Sequence, residues 1–243
     1  MKQKHLIILL GVHFIISISV VFAATDTDDF CPGSQRMMAE YQLTTKANGK
    51  KQKLEVHLWR NPKQVAIHYP QKQITELWER TPNDRLHLVR YFDEYQRGVE
   101  YQPVEIGGNH DWDLKRQLIA SKVIDKMNLD KVVGEGCQQI QVLSYKNEQS
   151  KTKLKWLVKQ ELIQYYQIKS VTRSEVWKLT KSSTDSAMID KKFAQLSEYQ
   201  TTDYTDVGDN ESDPFLVKMI NLGHVQHGSL GFYDADGHSM DPH

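Results

Sequence analysis

Apolar and polar residues alternate with a period of two through the middle of this chain, and that pattern constrains the fold more than any other feature. Leu54, Val56 and Leu58 alternate with Glu55, His57 and Trp59, and Val65, Ile67 and Tyr69 with Gln64, Ala66 and His68. Leu86 and Leu88 continue the pattern towards Tyr91 and Phe92. Ile140 and Val142 alternate with Gln139 and Gln141, and Leu154, Trp156 and Val158 with Lys153, Lys155 and Lys159. Such a period places one set of side chains on a buried face of a strand and the other set outside. Turn residues separate the runs, at Ala47-Asn48-Gly49-Lys50, Asn61-Pro62, Thr81-Pro82-Asn83-Asp84 and Gln96-Arg97-Gly98. Turns this short imply antiparallel pairing, because parallel strands need long crossovers.

Helices punctuate the strands. After Gly107-Gly108, with Asn109 or Asp111 as cap, the spacing of Trp112, Ile119, Val123 and Met127 predicts one helix. Ile189, Phe193 and Leu196 fit a short amphipathic helix. The stretch from Thr201 to Asp213 is acidic, without Lys or Arg, and reads as a solvated loop that lacks calcium-ligand spacing. Asp213-Pro214 opens a last helix, with Phe215, Leu216, Met219 and Ile220 on its apolar side and Gly223 as its stop. The expected fold is therefore α+β: a strongly curved, half-barrel-like antiparallel sheet with two or three short helices covering one face.

The ends set the compartment. Lys2 and Lys4 precede an apolar run from Leu6 to Phe22, and Val21-Phe22-Ala23 is a small-residue cleavage pattern. Residues 1–23 read as a signal peptide, with an uncleaved anchor as the other reading. Segment 24–37 is then an N-terminal extension, 38–182 the β domain with one inserted helix, and 183–243 a C-terminal helical, Asp/His-rich segment docked on the sheet. The expected location is periplasmic or otherwise extracytoplasmic. In an oxidising compartment Cys31 and Cys137 suit a disulfide, the other reading being two free thiols. Asn210-Glu211-Ser212 matches a glycosylation triplet, a pattern that also arises by chance.

Basic and acidic residues balance at 31 each, which argues against a nucleic-acid binder. No G-x-S-x-G elbow, phosphate-binding glycine loop or H-E-x-x-H pair is present. Glu76, Glu79, Asp93, Glu94, Glu100 and Glu105 offer carboxylates, but sequence places no two at working distance. The aromatic residues Trp59, Tyr69, Trp78, Tyr91 and Trp156 are candidates to line an apolar face, against the plainer reading of core and cross-strand pairs. His224, His227 and His238, near Asp234 and Asp236, are candidate ligands for a divalent metal, against a reading as ordinary polar tail residues.

The segment Leu54 to Tyr101 resembles the bacterial outer-membrane lipoprotein carrier superfamily (LolA-like). The resemblance rests on a strand ending at Trp59-Arg60-Asn61-Pro62-Lys63, the alternating strand Val65 to Tyr69, and the Tyr-containing strand Arg90-Tyr91-Phe92-Asp93. It implies an unclosed barrel with helices over its opening and a cavity for acyl chains. The Asp/His-rich last third departs from that pattern. The expected function is a soluble, non-enzymatic binding or carrier protein for an apolar ligand or lipoprotein, with transient contact to membrane proteins and no nucleic acid. The alternative is a periplasmic hydrolase or metal-binding protein using the C-terminal His and Asp residues.

Overall fold

The computed structural model describes residues 31, 34–107, 111–210 and 212–225. The signal-peptide segment 1–23, the cap candidate Asn109, Glu211 of the glycosylation triplet, and His227 and His238 lie outside the described residues.

Among the described residues twelve strands form one open sheet: β1 (Met37–Ala47), β2 (Lys50–Arg60), β3 (Gln64–Tyr69), β4 (Ile74–Arg80), β5 (Leu86–Phe92), β6 (Arg97–Tyr101), β7 (Asn128–Val133), β8 (Ile140–Lys146), β9 (Ser150–Leu157), β10 (Leu162–Ser170), β11 (Arg173–Ser183) and β12 (Gln200–Asp203). Their order across the sheet is β12-β6-β5-β4-β3-β2-β1-β11-β10-β9-β8-β7, so the sheet ends at β12 and β7 and does not close. The architecture is α+β and half-barrel-like, with antiparallel neighbours throughout except the parallel pair β12–β6. The β1–β2 turn follows from its sequence: Asn48 and Gly49 both have positive φ, as a tight two-residue hairpin loop demands.

Three other hairpins share one turn that was not legible as a repeat. Tyr69-Pro70-Gln71-Lys72-Gln73, Phe92-Asp93-Glu94-Tyr95-Gln96 and Leu157-Val158-Lys159-Gln160-Glu161 each leave the strand through one 3-10 turn. Each then re-enters the sheet through a left-handed residue: Gln73 (φ 52°), Gln96 (φ 50°) and Glu161 (φ 49°). Left-handed backbone costs an L-residue about 1–2 kcal/mol, so the flanking ladders hold these turns rather than the turn residues themselves.

Among the described residues four α-helices cover the sheet: α1 (Trp112–Gln117), α2 (Ser121–Ile124), α3 (Ser186–Ser197) and α4 (Pro214–Asn221). The single helix expected after Asp111 is instead α1 and α2, because Leu118 takes a left-handed conformation (φ 62°) between them. Asp111 caps α1, accepting from the backbone N–H groups of Asp113 and Leu114. Helices lie on both faces, not on one. The inner face carries the main core, where α1, α2 and α4 pack around Trp78 and Leu88. On the outer face, Phe193 and Leu196 of α3 pack on Ala66, Leu77, Val89 and Tyr91. Gly98 is required there: a Cβ would stand 2.8 Å from the Tyr91 ring.

Two strands escaped the sequence reading. β7 is exposed at every residue and carries no alternation to detect. β12 begins at Gln200 and runs into the acidic stretch read as loop, and it pairs with β6 across nearly a hundred intervening residues.

Buried Arg60 ties the parts together. Its Nη1 donates to the carbonyls of Arg116 (3.2 Å) and Glu161 (3.1 Å), and its Nη2 to those of Ser34 (3.0 Å) and Gln160. Burial, and then the charge of Arg116, pull its pKa down to about 10. Cys31 and Cys137 are bonded beside this hub, with Gln160 donating to the Cys137 carbonyl at 3.1 Å.

Candidate functional site

Strand register separates the five aromatic candidates. Opposed residues of paired strands share a face, so Trp59, Ala66, Leu77 and Val89 fall on the outer face. Tyr91 belongs there too, edge-on to Tyr199 at 5.5 Å. Tyr69, Trp78 and Trp156 belong to the inner core. Tyr69, Trp78 and Trp156 are therefore brought to one wall, and Trp59 and Tyr91 are not.

That inner wall is apolar, with charge set into it. Glu76 and Arg90 are direct cross-strand neighbours on β4 and β5, each 1% exposed and 3.3 Å apart. The Arg90 guanidinium lies 5.2 Å from the centre of the Tyr101 ring and donates to its hydroxyl at 3.4 Å. Burial raises the Tyr101 hydroxyl to about 12, so it stays protonated. A buried ion pair is weak evidence for stability, because desolvation offsets most of its attraction. A few charged groups in an apolar wall are, however, what orients an amphiphilic ligand. Lys115 of α1 is also buried and stands 4.3 Å over the Trp78 ring.

α4 covers this wall. Phe215, Leu216 and Met219 are buried, with Phe215 5.4 Å from the Phe92 ring and 5.3 Å from Tyr95. Asp213 caps the helix at the Phe215 N–H and pairs with Arg97 at 2.7 Å, and the Arg97 guanidinium sits 4.4 Å over the Phe215 ring. Lys218 bonds to the Tyr95 hydroxyl. Past the helix, the carbonyl oxygen of His224 accepts from Arg90 at 2.7 Å.

Of the metal candidates, His224 is described. Its ring lies against Phe92 at 6.3 Å, and burial, then the charges of Lys72 and Arg90, lower its pKa. Among the described residues no group of three or more His, Cys, Asp or Glu could hold a metal ion.

A cleft of about 710 Å³ opens where Trp112 of α1 faces the β2–β3 and β4–β5 turns. Its walls mix Pro62, Pro82 and Trp112 with Lys63, Glu79 and Arg80, so it is not an apolar pocket.

Sequence reasoning missed a polar cluster on the outer face. His68 Nδ1 lies 3.2 Å from Asp93 Oδ2 and 3.0 Å from the Thr75 hydroxyl, which donates to Asp93 at 2.8 Å. The His57 ring is 5.6 Å away, its pKa lowered mainly by burial. His57 and His68 sit at outward positions of two paired strands, and that shared parity was the signal available in the sequence.

No family model matches the chain, and no curated protein matches it. Solved structures similar to it include a DUF1329 family protein from Desulfovibrio piger, at 10% identity and TM-score 0.34 over 65% of this chain and 89% of that one. A LolA superfamily protein from Nitrosomonas europaea is similar at 8% identity and TM-score 0.30, over 63% of this chain and 87% of that one. The Pseudomonas aeruginosa MucA/MucB complex is similar at 13% identity and TM-score 0.30, over 62% of this chain and 53% of the matched one.

Proposed function

We propose that this chain is an extracytoplasmic binding or carrier protein whose inner sheet face receives an apolar or acylated ligand where α4 now lies. One observation carries the reading: an apolar wall holding a buried Glu76–Arg90 pair is covered by a separate short helix attached through side chains. Eight residues are too few for a helix stable alone, so α4 depends on the wall more than the wall depends on it. Its buried side chains contribute about 1.5–3 kcal/mol each, before the entropy of ordering the segment is subtracted. The His224 carbonyl on Arg90 occupies the place an ester or carboxylate oxygen of a ligand would take. The Cys31–Cys137 bond and the leader-like residues 1–23 support export.

The test combines native mass spectrometry of the exported protein with uptake of a naphthylamine lipid probe. Co-purified lipid is expected, together with stronger probe uptake in a Phe215→Ser/Met219→Ser variant that loosens α4. A variant that keeps its strand circular dichroism, takes up no probe, and comes from a parent free of lipid would overturn the reading.

A further inference from the structure

The outer face is covered by α3 over β3 to β5, but a different surface runs across β2, β1, β11, β10, β9 and β8. Register places Lys51 opposite Lys46, Lys46 opposite Ser174, Ser174 opposite Lys169, Lys169 opposite Lys151, and Lys151 opposite Lys146. Five of these six positions are lysines, all exposed, in one row across six adjacent strands. At about 4.8 Å per strand the row is roughly 24 Å long. Two residues along each strand, Lys53 and Lys153 continue the field, followed by Lys155 and Lys178 on either side of Tyr165. The row ends at three hairpin tips on one edge of the sheet. Between two of them lies a cleft of about 400 Å³, lined by Lys46, Lys50, Lys51, Lys169 and Arg173. Val171, 94% exposed, stands at the apex.

Acids near the field are fewer than its lysines: Glu55 lies two residues beyond Lys53 on β2, Glu148 stands in the β8–β9 turn and Asp130 accepts from the Ser144 hydroxyl at 2.8 Å, while Glu40 is bridged to Lys181 at 3.5 Å and Glu175 holds Arg173 at 3.3 Å. Like charges directly opposite one another destabilise a sheet. Lysines do guard exposed sheet edges, but β1, β2, β9 and β10 are interior strands, where no edge needs guarding. Folding alone therefore does not explain the pattern, and an anionic surface would.

We propose that this lysine face, with its hairpin tips, docks the protein on an anionic phospholipid bilayer. A broad array of flexible ammonium groups suits a plane of headgroup phosphates approached as point charges. Duplex or loop recognition relies more on the fork of arginine, and the one arginine at the tips is held by Glu175. An apolar residue at the apex suits the headgroup boundary. The inference is independent of the proposed ligand site, which lies on the other face.

The test is co-sedimentation of the full chain with vesicles of phosphatidylglycerol and phosphatidylethanolamine at 0.1 M salt, against vesicles of phosphatidylcholine. Binding to the anionic vesicles alone, weakening as salt is raised, is expected. Each lysine near such a surface contributes about fivefold in partitioning, so Lys46→Gln/Lys151→Gln/Lys169→Gln should lower it about a hundredfold. All three side chains are exposed, and an unchanged melting curve identifies the loss as one of binding. Val171→Asp, at a turn position, should weaken binding by itself. Equal binding to phosphatidylcholine, or full binding by the triple variant, overturns the proposal. Tighter binding to duplex DNA than to the vesicles also overturns it. An apolar terminus acting as the anchor would show itself as salt-insensitive binding kept by the triple variant.

Discussion

The two halves of the sheet are built from similar strands and bury them differently. In the first half β4 and β5 are buried at almost every residue, because α1, α2 and α4 cover the inner face and α3 the outer. In the second half β9 alternates strictly along Ser150 to Trp156, with Thr152, Leu154 and Trp156 inside and Lys151, Lys153 and Lys155 in water. A strand buried on both faces must place its charges as pairs, which is how Glu76 meets Arg90. A strand buried on one face is free to spend the other on charge, and the second half spends it on lysine. The same sheet thus separates an inner face that carries a buried ion pair from an outer face that carries exposed lysines.

Substitutions on the covered outer face should break this comparison most strongly. Leu77→Lys places an unpaired charge beneath α3 and should lower stability by about 3–5 kcal/mol, measured by urea unfolding. A loss below 1 kcal/mol would mean that α3 is not a true cover.

The disulfide joins the start of the first half to the start of the second, with a sequence separation of 106. Replacing both cysteines with Ala should cost about 2–5 kcal/mol. Unfolding of the oxidised chain should be one transition, and the double variant tests whether the halves then separate into two.

Asp213→Ala removes a cap and an ion pair with Arg97, and should weaken α4 docking by about 1 kcal/mol. Faster hydrogen exchange over 214–222, with β8 to β10 unchanged, is the expected signature. Uniform change across the sheet would show that α4 is not a separate unit.

A smaller effect follows from pH. Burial holds the imidazoles of His57 and His224 below their ordinary value of 6.5. The folded protein then binds fewer protons than the unfolded chain, so this part of its stability is complete above pH 6.5 and is lost as pH falls below it. The second half, from β7 to β11, contains no histidine. Mild acid should therefore speed exchange in β2, β3 and the α4 segment before β8 to β10. The reverse order would contradict it.

The smallest effect belongs to the open outer face. Lys153→Leu should change stability by less than about 0.5 kcal/mol, since its side chain is exposed and unpacked. A larger loss would mean that the lysine face is structural.

Legibility followed the same division. β2 and β9 were readable because each has a wet face that period-two alternation records directly, and β3 because Gln64 and His68 keep its covered outer side partly polar. The β1–β2 turn was readable because Asn48-Gly49 has few other uses. The α4 boundaries were readable from Asp213-Pro214 and the Phe215-to-Met219 spacing. β7 and β12 were not, since an exposed edge strand and a short parallel edge strand have no local pattern. Leu118 gave no warning that it would divide a helix.

By itself the sequence determined an antiparallel sheet, the inner and outer positions of its alternating strands, the Asn48-Gly49 turn and the Asp213 cap of α4, because each depends on neighbours within a few residues. Only the tertiary structure decided which aromatic residues share a wall, that Arg60 gathers the carbonyls of three distant segments, that α3 and α4 take opposite faces, and that lysines from five strands form one row. Those outcomes depend on register and strand order. Shifting a pairing by one residue turns every side chain of a strand to the other face, so a partner's identity carries information that no single strand contains.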